Sequence, residues 1–236
     1  MVEGPQGVLE ILKFRPDLVR GLYLTETAAG RNNDILGVAQ KAGIEIQYAT
    51  GEVLQTMSSN AQQVLVVAAM ENPDFATWIM TEPKPKPKLL AILNNVRDPG
   101  NAGTIIRVAD AFGANAVVLA GDCVEITNPK VVRSTAGSLF HLPVFSAPDL
   151  SEIIDQCHDA GVQVFAADGH GETELPTITL TNPTAWLFGN EAWGLPAADR
   201  ALADAVVRIP MPGHAESLNL ATAATVCLYS SALALA

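Results

Sequence analysis

The feature that most constrains the fold is a series of short, almost wholly apolar stretches separated by segments of helical periodicity in the second half of the chain. Strands are predicted at Leu89–Leu93, Ala116–Leu119, Gln163–Ala167, Trp186–Phe188 and Val206–Ile209, and helices at Gly103–Phe112, Leu150–Ala160 and Leu218–Ala234. A strand that is apolar at successive residues has no water-facing side, so it belongs inside a sheet covered by helices on both faces. Strands alternating with helices in this way build an α/β domain around a mostly parallel sheet. In open sheets of that kind ligands bind beyond the carboxyl ends of the strands. The residues just after each strand are therefore the first candidates for function.

The clearest boundary is Thr81–Lys88, TEPKPKPK. Alternating Pro and Lys cannot form a helix interior or a central strand, because proline lacks the N–H that either would use. It reads as an extended, solvated linker, with phosphate contact by its three lysines as the lesser alternative. Two domains follow, 1–80 and 89–236. The first alternates a helical turn at Val8–Leu12, a strand at Gly21–Leu24, a helix at Asn33–Gly43, a strand at Glu45–Ala49, a short helix at Val53–Met57 and a strongly apolar strand at Gln63–Ala69. It too is predicted to be α/β.

Composition narrows the function classes. Half of the 236 residues (49%) are apolar, enough to bury a core. The longest apolar tract, Leu220–Ala236, is broken by Thr222, Thr225, Ser230 and Ser231, and reads as a core helix rather than a membrane span. The opening MVEGPQGV has neither the basic start nor the apolar stretch of a secretory leader. Cys123, Cys157 and Cys227 are odd in number and widely spaced, which fits neither a disulfide framework nor a zinc site. They read as small buried hydrophobes in a reducing, cytoplasmic protein with no metal. The net charge is −11, distributed as −2 over residues 1–88 and −9 over 89–236, which speaks against a nucleic-acid partner. Basic residues are nevertheless grouped: Lys13, Arg15 and Arg20; Lys84, Lys86 and Lys88; Lys130 and Arg133.

Three segments following strands carry chemistry. The first, Asn94–Ala114, contains the turn Asp98-Pro99-Gly100-Asn101, in which Asn101 can cap the next helix. Arg107 lies on the polar side of that helix, one turn from the loop, and either points at what the loop holds or pairs with Asp110 at i+3. The second, Gly189-Asn190-Glu191-Ala192-Trp193-Gly194-Leu195-Pro196, ends a buried strand on a glycine that lets a ligand approach backbone, followed by a carboxylate that faces the ligand or simply solvent. The third runs from Pro210 to Asn219 into an Ala-rich helix, where Ser217 and Asn219 either cap the helix or aim at a ligand. His214 is a lone loop histidine. No GxGxxG follows the first strand, so a dinucleotide fold has little support, and the P-loop signature, a CxxC pair and the GxSxG elbow of serine hydrolases are absent.

Taken together, RDPGNAGTIIRVADAFGA, LFGNEAWGLP and IPMPGHAESLNLA resemble, in order and spacing, the three signature motifs of the SpoU (TrmH-like) family of SPOUT-class RNA 2′-O-ribose methyltransferases. VEGPQGVLEIL and LYLTE resemble more weakly the ribosomal-protein-like α/β RNA-binding domain that many members carry in front. The resemblance implies a SPOUT-type parallel-sheet domain with a deep trefoil knot, a homodimer with active sites near the subunit interface, and S-adenosylmethionine as methyl donor to a ribose hydroxyl of RNA, ribosomal RNA before transfer RNA. It implies catalytic positions at Arg107, Asn101, Glu191, Ser217 and Asn219. It implies donor contacts at Gly189, Ile209 and Leu218, with Asn190, Pro210 and Met211 beside them. It also implies a basic leader and a complete first strand ahead of Val2-Glu3-Gly4.

Two rivals remain at this point. One is a non-catalytic RNA- or ribosome-binding protein that keeps the fold, against which the full polar set argues. The other is an α/β enzyme acting on a small substrate with another adenosine-containing ligand, which the acidic charge favours and the front domain disfavours.

Overall fold

The computed structural model describes residues 1–81 and 86–235. Half of the expected linker, residues 82–85 with Lys84 among them, lies outside them. In chain order the first elements are β1 (Val2–Glu3), α1 (Gly4–Phe14), β2 (Val19–Leu24), α2 (Glu26–Ala29), α3 (Asn33–Lys41), β3 (Ile46–Tyr48), α4 (Gly51–Met57), β4 (Val64–Ala68) and α5 (Phe75–Thr81). Then come β5 (Leu89–Asn94), α6 (Pro99–Ala111), β6 (Ala116–Ala120), α7 (Pro129–Ser134), β7 (Val144–Ala147), α8 (Leu150–Asp159), β8 (Gln163–Ala167), β9 (Thr173–Glu174), β10 (Thr184–Phe188), α9 (Ala197–Arg200), β11 (Ala205–Arg208) and α10 (Leu220–Leu235).

The chain forms two compact units, one of Met1–Glu71 with Glu125–His141, the other of Asn72–Val124 with Leu142–Ala236. In the first, β1 and β2 run antiparallel to β4, and β3 runs parallel to β2, giving the order β1-β4-β2-β3. Helix α1 turns Val8, Ile11 and Leu12 onto Ile35 and Ala39 of α3 and onto Val64 and Val66 of β4. Segment 125–141 joins this core through Val132 and Phe140. It also supplies Arg133, which pairs with the buried carboxylate of Glu3. An unpaired charge there would be costly, and the pair removes that cost.

The second unit is an entirely parallel sheet in the order β7-β6-β5-β10-β8-β11-β9. Every residue of β5, β6 and β10 is buried, as the uniform apolarity of those strands requires. Helix α6 begins at Pro99, four residues before the predicted start, because Asp98 rather than Asn101 caps it: its Oδ1 accepts from the Asn101 N–H at 2.7 Å, and Pro99 opens the first turn. Helix α10 begins at Leu220, capped by Asn219, whose Oδ1 accepts from the N–H groups of Ala221 and Thr222 at 2.9 and 3.3 Å. The edge strands β7 and β9 were not anticipated.

One buried polar contact ties α10 to the sheet. Trp186 and Ser231 are both fully buried, and the indole N–H donates to Ser231 Oγ at 2.9 Å. Trp186→Phe leaves that hydroxyl without its donor and removes ring volume. Denaturant unfolding is expected to show a loss of about 2–3 kcal/mol, while Ser231→Ala in the same background is expected to recover part of it.

Candidate active site

The order of the large sheet reverses where β10 lies between β5 and β8. Strands β5, β6 and β7 grow outward on one side, and β8, β11 and β9 lie on the other. A crevice at the carboxyl ends of strands forms at such a switch point. The loops leaving β5 and β10 meet there.

Glu191 binds the first segment to the second. Its Oε2 accepts from the Arg97 N–H at 3.3 Å, and its Oε1 accepts from the Asp98 N–H at 3.1 Å and from Asn101 Nδ2 at 3.3 Å. Asn101 Oδ1 in turn accepts from Asn219 Nδ2 at 3.1 Å. A continuous chain Glu191–Asn101–Asn219 thus joins all three segments, though they are some 90 and 118 residues apart in sequence. With both oxygens occupied by loop donors, Glu191 fixes the entrance to α6; it is not a base standing free. Glu191→Ala is expected to cost only about 1 kcal/mol, because the exposed donors regain water. It is expected to loosen the loop at 97–101, visible as faster amide exchange there.

Gly189 permits the close turn that follows β10. A β-carbon at this position would lie 2.5 Å from the backbone carbonyl carbon and oxygen of Gly194. The turn is closed by reciprocal bonds between Asn190 and Gly194, at 3.0 and 2.9 Å, with Gly194 in the left-handed region at φ +66°. Asn190 is buried; its Nδ2 donates to the Asn95 carbonyl at 2.7 Å and its Oδ1 accepts from the Ala192 N–H at 2.8 Å.

The remaining predicted positions are not drawn into this network. Ile209 and Met211 are half-buried where the chain leaves β11, while Pro210, Ser217 and Leu218 are exposed. Ser217 does not cap α10. Among the described residues, 211–218 make no backbone hydrogen bond, so their N–H and C=O groups are open. Arg107 stands eight residues beyond Pro99, more than two turns into α6 and about 12 Å along its axis, farther from the loop than predicted. It is exposed and, among the described residues, makes neither the i+3 pair with Asp110 nor any other ion pair.

Several participants were missed in the sequence. Asn95 adopts the left-handed region at φ +57°, and its Oδ1 accepts from the Asp122 N–H at 2.9 Å. Asn94 donates to Asp199 at 2.6 Å. The pair of amides directly after an all-apolar strand is the signal that marks them. Arg97 bridges Asp122 and lies 5.7 Å from the centroid of the exposed Trp193 ring. Asp168, which follows β8, is nearly buried. Burial alone would raise its pKa, but hydrogen bonds from the His170 N–H and ring and from Arg200 outweigh that and hold the carboxyl below its ordinary value. Burial pushes the Cys123 thiol up to about 11 and the Cys157 and Cys227 thiols up to about 12, so all three are protonated at neutral pH. Cys157 and Cys227 are buried as expected, whereas Cys123 is half-buried and its sulfur bonds backbone groups of Leu93, Val96 and Ala120.

Residues 88–229 match the SpoU rRNA Methylase family, and residues 1–76 match the RNA 2'-O ribose methyltransferase substrate binding domain. The chain is 36% identical over 192 residues to the 23S rRNA (uridine(2479)-2'-O)-methyltransferase of Streptomyces viridochromogenes, a match that covers 79% of this chain and 66% of that protein. It is 29% identical over 231 residues to the 23S rRNA (guanosine-2'-O-)-methyltransferase RlmB of Nitrosomonas europaea, covering 97% and 89%. The crystal structure of the SpoU methyltransferase AviRb from Streptomyces viridochromogenes in complex with AdoMet superposes with a TM-score of 0.83 at 30% identity, covering 98% of this chain and 88% of that one.

Proposed function

The chain belongs to the SpoU rRNA Methylase family, and from that membership we propose that it transfers the methyl group of S-adenosylmethionine to a ribose 2′-hydroxyl of structured RNA, with 23S ribosomal RNA as substrate. The observation that carries this reading is the hydrogen-bonded chain Glu191–Asn101–Asn219, which gathers the three family motifs at the switch point of the sheet. The preference for ribosomal RNA rests on the relatives' names and on the match of residues 1–76 to a substrate-binding domain.

The residues present fit the methyl donor. Gly189 closes a tight turn at the carboxyl end of β10, and the open backbone of 211–218 offers donors and acceptors beside half-buried Ile209 and Met211. Gly189, Asn190, Ile209, Pro210, Met211 and Leu218 are the positions we assign to holding it. The donor supplies an activated methyl group on a sulfonium, so the reaction as proposed asks for alignment and proton removal and uses no metal. Asn101 and Asn219 fix the loop geometry that aligns the hydroxyl. Arg107 stabilises the developing alkoxide and the neighbouring phosphate, because a guanidinium donates hydrogen bonds and does not accept them, and the hydroxyl proton passes to bulk water as the oxygen takes the methyl group and the sulfonium leaves as a neutral thioether. Ser217, exposed at the mouth of the third segment, is assigned to substrate contact.

A homodimer completes the reading. Arg107 is exposed on α6, and α10, which packs on α6, exposes Tyr229 and Leu233 (49% and 61%). A subunit seated on that face would cover the apolar side chains and bring one protomer's Arg107 toward its partner's loops. The expected trefoil knot is part of the proposal and is supported by the return of β10 between the earlier strands β5 and β8. A cytoplasmic setting is supported by the free cysteines. Calorimetric titration with S-adenosylmethionine tests the site: saturable binding, abolished by a bulky substitution at Gly189, is expected, and no heat of binding in the folded protein would sink the assignment.

A further inference from the structure

The first unit carries a cavity of about 450 Å³ beside the turn between α4 and β4 that no part of the methyl-transfer chemistry uses. Its volume lies within the roughly 300–1,000 Å³ range of small-molecule sites. Buried Leu54 and Ala61 contribute an apolar floor, and Gln55, Asn60 and Gln62 bring amides to the rim. Among the described residues, the Gln55 and Gln62 amides form no hydrogen bond within the protein. Arg133 lines the cavity too, but one of its nitrogens is bound to Glu3, whose other oxygen accepts from Ser58, so the wall carries little net charge.

The turn is held at a cost. Gln62 and Gln63 both lie in the left-handed region, at φ +49° and +65°, where residues with a β-carbon are disfavoured. Gln63 is held there by Thr25, whose N–H donates to its carbonyl at 3.2 Å and whose hydroxyl donates to its Oε1 at 3.1 Å. Glycine would sit at Gln62 without strain, yet the chain places an amide there, beside Gly4 and at the cavity wall. Strain of this kind persists where function uses it.

We infer that this cavity takes an unstacked nucleobase of the RNA substrate, its face on Leu54 and Ala61 and its edge read by Gln55, Asn60 and Gln62. Amides are the side chains that match the mixed donors and acceptors of a base edge, and recognition of RNA by splayed-out bases uses such contacts. The near-neutral wall favours the base over the phosphate. The inference rests on RNA being the substrate, as proposed above.

The test measures binding of unmodified 23S ribosomal RNA to the full-length chain and to Gln62→Gly and Gln55→Ala variants, across a salt series, with melting temperature as the fold control. Gln62→Gly relieves the strained turn and Gln55→Ala replaces one good helix former by another, so neither variant is expected to melt below the parent. Each is expected to weaken binding about tenfold, the loss of one amide–base contact, with the salt dependence unchanged. Parent-like affinity in both variants, while the parent binds and methylates the RNA, overturns the pocket and leaves the methyltransferase reading standing. The same tenfold loss measured on an abasic oligoribonucleotide, which offers a backbone and no base edge, overturns the nucleobase in favour of backbone contact. Failure of the parent to bind the RNA overturns both.

Discussion

Replacing Arg107 with alanine is expected to lower methyl transfer by about 10²–10³-fold, the usual cost of removing one preorganised donor to a developing oxyanion. The guanidinium is exposed and, among the described residues, makes no ion pair or hydrogen bond within the chain, so the melting temperature is expected to stay where it was. Donor binding is also expected to survive, because the assigned donor contacts lie in the other two segments. Arg107→Lys keeps the charge but loses the fork that holds two oxygens at once, and should fall between the two. Mixing Arg107→Ala chains with chains impaired at Gly189 tests the dimer: restored activity is expected if each active site draws its arginine from the partner, and none if arginine and loops act within one chain. Unaltered turnover in Arg107→Ala would remove this residue from the mechanism in either role.

Gly189→Ala is expected to have the second large effect, and by a different route. The added methyl would lie 2.5 Å from the Gly194 carbonyl and 2.7 Å from the Leu195 nitrogen, which are backbone atoms and cannot swing away. The reciprocal Asn190–Gly194 bonds must open, and with them the hold of Asn190 on Asn95. A stability loss of about 3 kcal/mol is expected, together with loss of donor binding. Gly37→Ala is the control, since it lies outside the three segments and a β-carbon there meets nothing within 4 Å. It is expected to cost no stability and to leave donor binding unchanged.

The parts of the molecule that were legible in the sequence are those where burial dictates residue type. Strands β5, β8 and β10 are inside the sheet, so their apolar runs located them to within a residue or two. Strands β7 and β9 lie at the sheet edges, and β7, with the sequence VFSA, has no need of uniform apolarity. The start of α6 was misplaced because Asp98 and Asn101 are both good caps, and only the structure shows which accepts the bond. Segment 125–141 packs into the first unit through a few side chains such as Val132 and Phe140, which resemble any other apolar residues in a linear reading.

The site was legible in a similar, partial way. The motifs supplied Asn101, Glu191 and Asn219, and the fold joins them. That Glu191 is spent on holding the loop before α6, and that Arg107 stands apart from the network, depends on helix phase and on where α6 begins. The cavity under Gln62 was invisible because its strain lies in backbone angles, and glutamine gives no local sign of a positive φ.

The most direct measurement is transfer of a labelled methyl group from S-adenosylmethionine to total RNA from cells lacking this enzyme, with the products fractionated by size and mapped by alkaline cleavage. The expected result is label in 23S ribosomal RNA at one position that resists alkali, because a methylated 2′-oxygen cannot attack its own phosphate. Label confined to small RNA would move the substrate to transfer RNA, and absence of label in a folded protein that binds the donor would contradict the proposed activity.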